Sequence, residues 1–143
     1  MTPDAEPDDQ IMTMKHPYTI LIADRNPHVR AFLKREMSKE GYRVQMAGNS
    51  REVLKQVFGR EPLHLLIIDP DLPDADELDI LTKMEDRVPA LPVIIHAFSA
   101  DYNEDFPTLE TTIFVEKRGT SIERLKNVAR GMLQEANAEG KRE

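Results

Sequence analysis

Short apolar runs alternate with stretches of helical periodicity along this chain, and no other feature narrows its possible folds as much. The runs are Tyr18 to Ala23, Tyr42 to Met46, Leu63 to Ile68, Pro92 to Ala97 and Ile113 to Glu116. Runs this short and continuously apolar suit strands buried on both faces, as in a parallel sheet. After the first run Asn26 can cap a helix and Pro27 can take its first position. Val29, Phe32, Leu33 and Met37 then form an apolar stripe interrupted by Glu36, and Gly41 supplies the stop. Ser50 begins a second helix, with Val53, Leu54, Val57 and Phe58 on one face before Gly59. Leu78, Leu81 and Met84 mark a third, less cleanly bounded. The last helix opens with a capping box, Thr120 and Glu123, and carries Ile122, Leu125, Val128, Met132 and Leu133 on its buried face.

This alternation predicts an α/β fold: a doubly wound, five-stranded parallel sheet covered on both faces, with right-handed crossovers. One segment breaks the pattern. Ser99 to Pro107 has few apolar residues at helical spacing and ends on a proline, so the fourth helix is expected to be short or irregular.

At 143 residues the chain is one domain's worth. Residues 1–17 combine Asp4, Glu6, Asp8 and Asp9 with three prolines and read as a flexible acidic arm. Residues 18–136 form the expected domain and 137–143 a polar, frayed tail. The absence of cysteine excludes disulfides, thiolate nucleophiles and cysteine-based metal sites. No run is long enough to cross a bilayer and the acidic start is unlike a signal peptide, so the expectation is a soluble cytoplasmic protein without membrane contact. A net charge of −7 argues against direct nucleic-acid binding, which depends on lysine and arginine displacing counterions.

Three charged residues stand where apolar runs end: Asp24 after the first, Asp69 after the third and Lys117 after the fifth. Asp69 closes Leu65-Leu66-Ile67-Ile68 and continues as Pro70-Asp71-Leu72-Pro73-Asp74-Ala75-Asp76. A carboxylate that ends a buried strand and turns at once through a Leu-Pro loop lies at the carboxyl edge of the sheet, where open α/β sheets bind ligands. A charged residue at a strand end is usually solvated, and each of these alone reads that way; their joint position at three strand ends points to a site.

With the strand-helix alternation, these residues resemble the receiver domains of response regulators over nearly the whole of Tyr18 to Leu133. The resemblance implies a flavodoxin-like strand order, 2-1-3-4-5, in which the ends of the first and third strands are neighbours and a lysine reaches over from the fifth. It implies Asp69 as the phosphoacceptor attacking a phosphohistidine and Lys117 as the lysine contacting phosphoryl oxygens. It also implies a Mg2+ site made from Asp24, Asp69 and the backbone carbonyl of Asp71. Ala97 and Phe114 fall at the positions of the family's hydroxyl and aromatic switch.

Three residues depart from the family pattern. Arg25 stands where a second acid usually touches the metal, which makes Mg2+ binding doubtful. Ala97 lacks the hydroxyl that would bond the phosphoryl group, and Arg118 replaces the proline that commonly follows the lysine. Two readings of Arg25 stay open: its guanidinium reaches solvent, or it pairs with Asp69 or Asp24 in place of a divalent ion. Asp71, Asp74 and Asp76 read as a solvated acidic loop. His96, one residue before Ala97, is expected to point away from the site into packing. His16, His28, His64 and His96 show no metal-ligand spacing.

The resulting expectation is a stand-alone response regulator receiver in phosphorelay signalling, not an enzyme, because the last helix ends about ten residues before the chain does. Its partners would be a sensor histidine kinase or phosphotransfer protein and a downstream protein target. The alternative is a pseudo-receiver, a phosphorylation-independent interaction module. A nucleotide- or flavin-using enzyme is disfavoured, since the turn Asp24-Arg25-Asn26-Pro27 has no glycine to bring backbone up to phosphates.

Overall fold

The computed structural model describes residues 17–75, 79–98 and 111–142, the stretch 137–142 by its backbone alone. Five strands and four helices are described: β1 (Thr19–Ala23), α1 (Pro27–Lys39), β2 (Arg43–Ala47), α2 (Ser50–Val57), β3 (Leu65–Ile68), α3 (Ile80–Met84), β4 (Val93–Ala97), β5 (Thr112–Glu116) and α4 (Ser121–Arg142). All neighbouring strands pair in parallel and the order is β2-β1-β3-β4-β5, as expected. Leu78 and the segment Ser99 to Pro107, with its expected short helix, lie outside the described residues.

The central strands are buried on both faces because both faces carry helices. Leu21, Ala23, Leu66, Ile68, Val93, Ile95 and Ala97 pack with Val53 and Val57 of α2 and Ile80, Leu81 and Met84 of α3. Ile20, Ile22, Leu65, Ile67, Ile94 and Val115 pack against Leu33 and Met37 of α1 and Leu125, Ala129 and Leu133 of α4. Each such aliphatic side chain taken wholly out of water contributes roughly 1.5–3 kcal/mol. These two layers therefore fix which way the residues of the three central strands point.

Local signals account for both ends of α1. Asn26 accepts the His28 N–H at 2.8 Å and Pro27 takes the first turn of α1. At the other end Gly41 adopts φ 94°, a left-handed conformation that favours glycine. Glu36, which interrupts the α1 stripe, faces α4: its carboxylate accepts from Lys126 at 3.0 Å and from Lys39 at 3.2 Å. The Lys126 and Lys39 hydrogen bonds hold the Glu36 pKa down to about 2. α4 continues to Arg142, past the fraying expected from Asn137 onward, since alanine, glutamate, lysine and arginine favour helix. Among the described residues no helix is long and apolar enough to cross a membrane.

Candidate functional site

Each of the three charged residues is the first residue past its strand, and each is held in register by one further sheet-type hydrogen bond. Asp24 N–H donates to the Ala47 carbonyl at the end of β2 (3.2 Å), Asp69 N–H to Ala23 at the end of β1 (2.9 Å) and Lys117 N–H to Ala97 at the end of β4 (2.8 Å). The parallel ladder thus extends one residue beyond the strands and brings Asp24, Asp69 and Lys117 to one edge.

There the Lys117 ammonium bridges the two carboxylates, 2.8 Å from Asp24 Oδ2 and 2.6 Å from Asp69 Oδ2. Asp24 and Asp69 are both buried, at 2% and 8% exposure. Each has its second oxygen occupied by backbone: Asp24 Oδ1 accepts the Asn26 N–H and Asp69 Oδ1 accepts the Asp71 N–H, both at 2.9 Å. Burial alone would lower the Lys117 pKa, but the hydrogen bonds and charges of Asp24 and Asp69 outweigh it and raise it. Phe98 adds its ring face, 5.4 Å from the ammonium.

Arg25 pairs with neither Asp69 nor Asp24, and part of its side chain stays in solvent. It is half exposed and pairs with Asp71, Nε donating to the backbone carbonyl at 3.0 Å and Nη2 approaching the carboxylate at 3.3 Å. The carbonyl named as a metal ligand is therefore held by a guanidinium. Nor is Asp74 a solvated loop residue. Its two oxygens accept the N–H groups of Ser50 (2.6 Å) and Arg51 (3.1 Å), capping α2 from the β3–α3 loop. Asp76, the third acid of that loop, lies outside the described residues.

Ala97 is buried, and Phe114 packs on the same face of the sheet, partly buried, with its strand position opposite Ile95. His96 points to the other face, as expected, and its Nε2 lies 3.4 Å from Ser121 Oγ. Sequence reasoning missed Arg30, whose Nη1 donates to the Asp24 carbonyl at 2.6 Å. Gly48 makes room for it: a Cβ there would stand 2.9 Å from that nitrogen. The signal that could have revealed it is the short interval from Asp24 to Arg30 in the first turn of α1, with a glycine just past the end of β2 leaving the space.

Residues 20–129 match the family model of the response regulator receiver domain. The chain belongs to that family. It is 34% identical over 77 residues to the DNA-binding transcriptional regulator NtrC of Bradyrhizobium sp. (strain RP501 Parasponia), covering 54% of this chain and 16% of that protein. It is 31% identical over 96 residues to the sensor protein EvgS of Escherichia coli (strain K12), covering 67% of this chain and 8% of that protein. The match thus spans a small part of each of these longer relatives. Among solved structures, the response regulator TrrA of Thermotoga maritima, in complex with Mg2+-BeF, is 25% identical with a TM-score of 0.71, over 80% of this chain and 98% of that one.

The donors at the edge of this receiver domain do not suit a magnesium ion. Magnesium demands near-octahedral oxygen coordination, usually from carboxylates and waters. Here the Asp71 carbonyl already accepts from Arg25, and both inner carboxylates already hold the Lys117 ammonium. Among the described residues no group of three histidine, cysteine, aspartate or glutamate side chains is placed to hold a metal. A divalent ion entering here meets the Lys117 ammonium, bonded to both carboxylates, and the half-exposed guanidinium of Arg25.

Proposed function

We propose that this receiver domain accepts a phosphoryl group on Asp69 and passes the signal on by protein contact. The observation that carries the reading is the placement of the Asp69 carboxylate at the end of β3, 2.6 Å from the Lys117 ammonium. Phosphoryl transfer is catalysed chiefly by positioning and by neutralising charge on the phosphoryl oxygens. A carboxylate oxygen of Asp69 attacks phosphorus of a phosphorylated imidazole. The new O–P bond forms as the P–N bond breaks, and the imidazole leaves with the electron pair and takes a proton from water. Lys117 offsets the charge on the phosphoryl oxygens, while Asp24, bonded to the same ammonium, keeps it in place.

The partners of this reading are a sensor histidine kinase or phosphotransfer protein and a downstream protein, in the cytoplasm. The chemistry is that of a signalling module whose own aspartate is modified.

A second reading, a pseudo-receiver that binds partners without phosphorylation, is favoured by two observations. Ala97 has no hydroxyl to report a phosphoryl group, and Arg25 occupies the Asp71 carbonyl. Intact-mass measurement after incubation with acetyl phosphate separates the two. The first reading expects a slow gain of one phosphoryl group, abolished in Asp69→Asn. No gain would favour the second reading, and an undiminished gain in Asp69→Asn would remove Asp69 as the acceptor.

A further inference from the structure

We infer that Arg25 serves as the resident cation of this site, in the place a divalent ion would take, so that the site works without magnesium. The inference builds on Asp69 as phosphoacceptor only for what the cation neutralises. The turn that carries Arg25 is fixed from both sides: Asp24 Oδ1 accepts the Asn26 N–H, and the Asp24 carbonyl accepts from Arg30. The turn projects the residue 25 side chain across to the β3–α3 loop, where it meets Asp71 at two points. Asp71 in turn donates its N–H to Asp69 Oδ1 at 2.9 Å. One residue therefore joins the guanidinium to the phosphoacceptor, turning its carbonyl to the cation and its N–H to the carboxylate.

Charge and chemistry agree with this role. Asp24, Asp69 and Asp71 supply three negative charges and Lys117 and Arg25 supply two positive ones through the pairs described. A guanidinium stays charged at every working pH and matches carboxylate and phosphoryl oxygens with paired N–H donors. Half exposed, Arg25 can present its remaining N–H groups to an incoming phosphoryl group. It cannot offer open coordination positions, and it repels an ion that could.

Magnesium titration of thermal unfolding, at matched ionic strength, tests this on the wild-type chain, Arg25→Asp and Arg25→Ala. The wild type should show no saturable rise in Tm. Arg25→Asp should unfold lower in EDTA and rise saturably with magnesium, at a midpoint about tenfold or more below the highest concentration at which the wild type shows no response, because a cation has become an anion beside the Asp71 carbonyl. Arg25→Ala, which frees the carbonyl without crowding carboxylates, should show a weaker response of the same sign and covers the case in which Arg25→Asp does not fold. Saturable stabilisation of the wild type equal to that of the variants overturns the inference. Acetyl phosphate labelling with EDTA or magnesium forms a second arm. Equal wild-type labelling in both, slowed in Arg25→Ala, supports the inference. Labelling that requires magnesium overturns it while leaving Asp69 as acceptor. Absence of labelling in both sinks the acceptor reading, and the titration still decides the role of Arg25.

Discussion

His96 shows how closely a single side chain can be bound to the site without joining it. It is 6% exposed, its Nε2 meets Ser121 Oγ, and its Nδ1 finds no partner among the described residues. Burial first, and then the nearby charge of Lys117, push its pKa down to about 4, against smaller opposing effects of Asp24 and Asp69. A histidine with a lowered folded pKa is neutral in both states at high pH. Its cost to stability appears as pH falls below 6.5, where the unfolded chain takes up the proton first, and is complete near the folded value. The loss over that window is on the order of 3 kcal/mol. In His96→Leu, urea unfolding at pH 7 and pH 4 should show a smaller fall in stability by roughly that amount. An unchanged fall would mean that His96 is not the acid-sensitive group. The inward packing of His96 was legible from its parity with Ala97. The destination of Arg25 was not, because a long side chain next to three acids has several partners within reach and sequence cannot rank them.

At the scale of elements, the strands and α1 were legible to within a residue or two, since apolar runs, Asn26, Pro27 and Gly41 are local signals that the structure uses locally. What escaped were links made across the chain. Glu36 breaks the α1 stripe, yet it belongs at the α1–α4 contact because Lys126, ninety positions away, meets it. Asp74 likewise reads as loop composition until the end of β3 is set beside the start of α2. Burial works to raise the Asp74 pKa, but the N–H groups of Ser50 and Arg51 outweigh it and keep it below its ordinary value of 3.8. Its cap therefore stabilises the fold above that pH and is lost as pH falls below it. Asp74→Ala should lower stability at neutral pH by about 1 kcal/mol, as loss of a helix cap does, measured by chemical denaturation. No loss would show that Asn49, whose side chain accepts the Glu52 N–H, caps α2 unaided.

For the whole molecule, the doubly wound architecture was legible because strands buried on both faces leave few alternatives once they alternate with helices. The site was legible as three strand ends, but it became one place only through the strand order. That order sets β1 beside β3 and lets Lys117 reach from the end of β5 to both aspartates. In the proposed function this convergence makes Asp69 the nucleophile. The direct measurement is borohydride reduction of the chain after acetyl phosphate treatment, followed by peptide mass spectrometry. Hydride reduces an aspartyl phosphate to the alcohol, releasing phosphate and leaving homoserine at the modified position. Homoserine is expected at position 69 and at neither 24 nor 71. Homoserine at another position, or a phosphoryl gain that leaves position 69 unreduced, would contradict it.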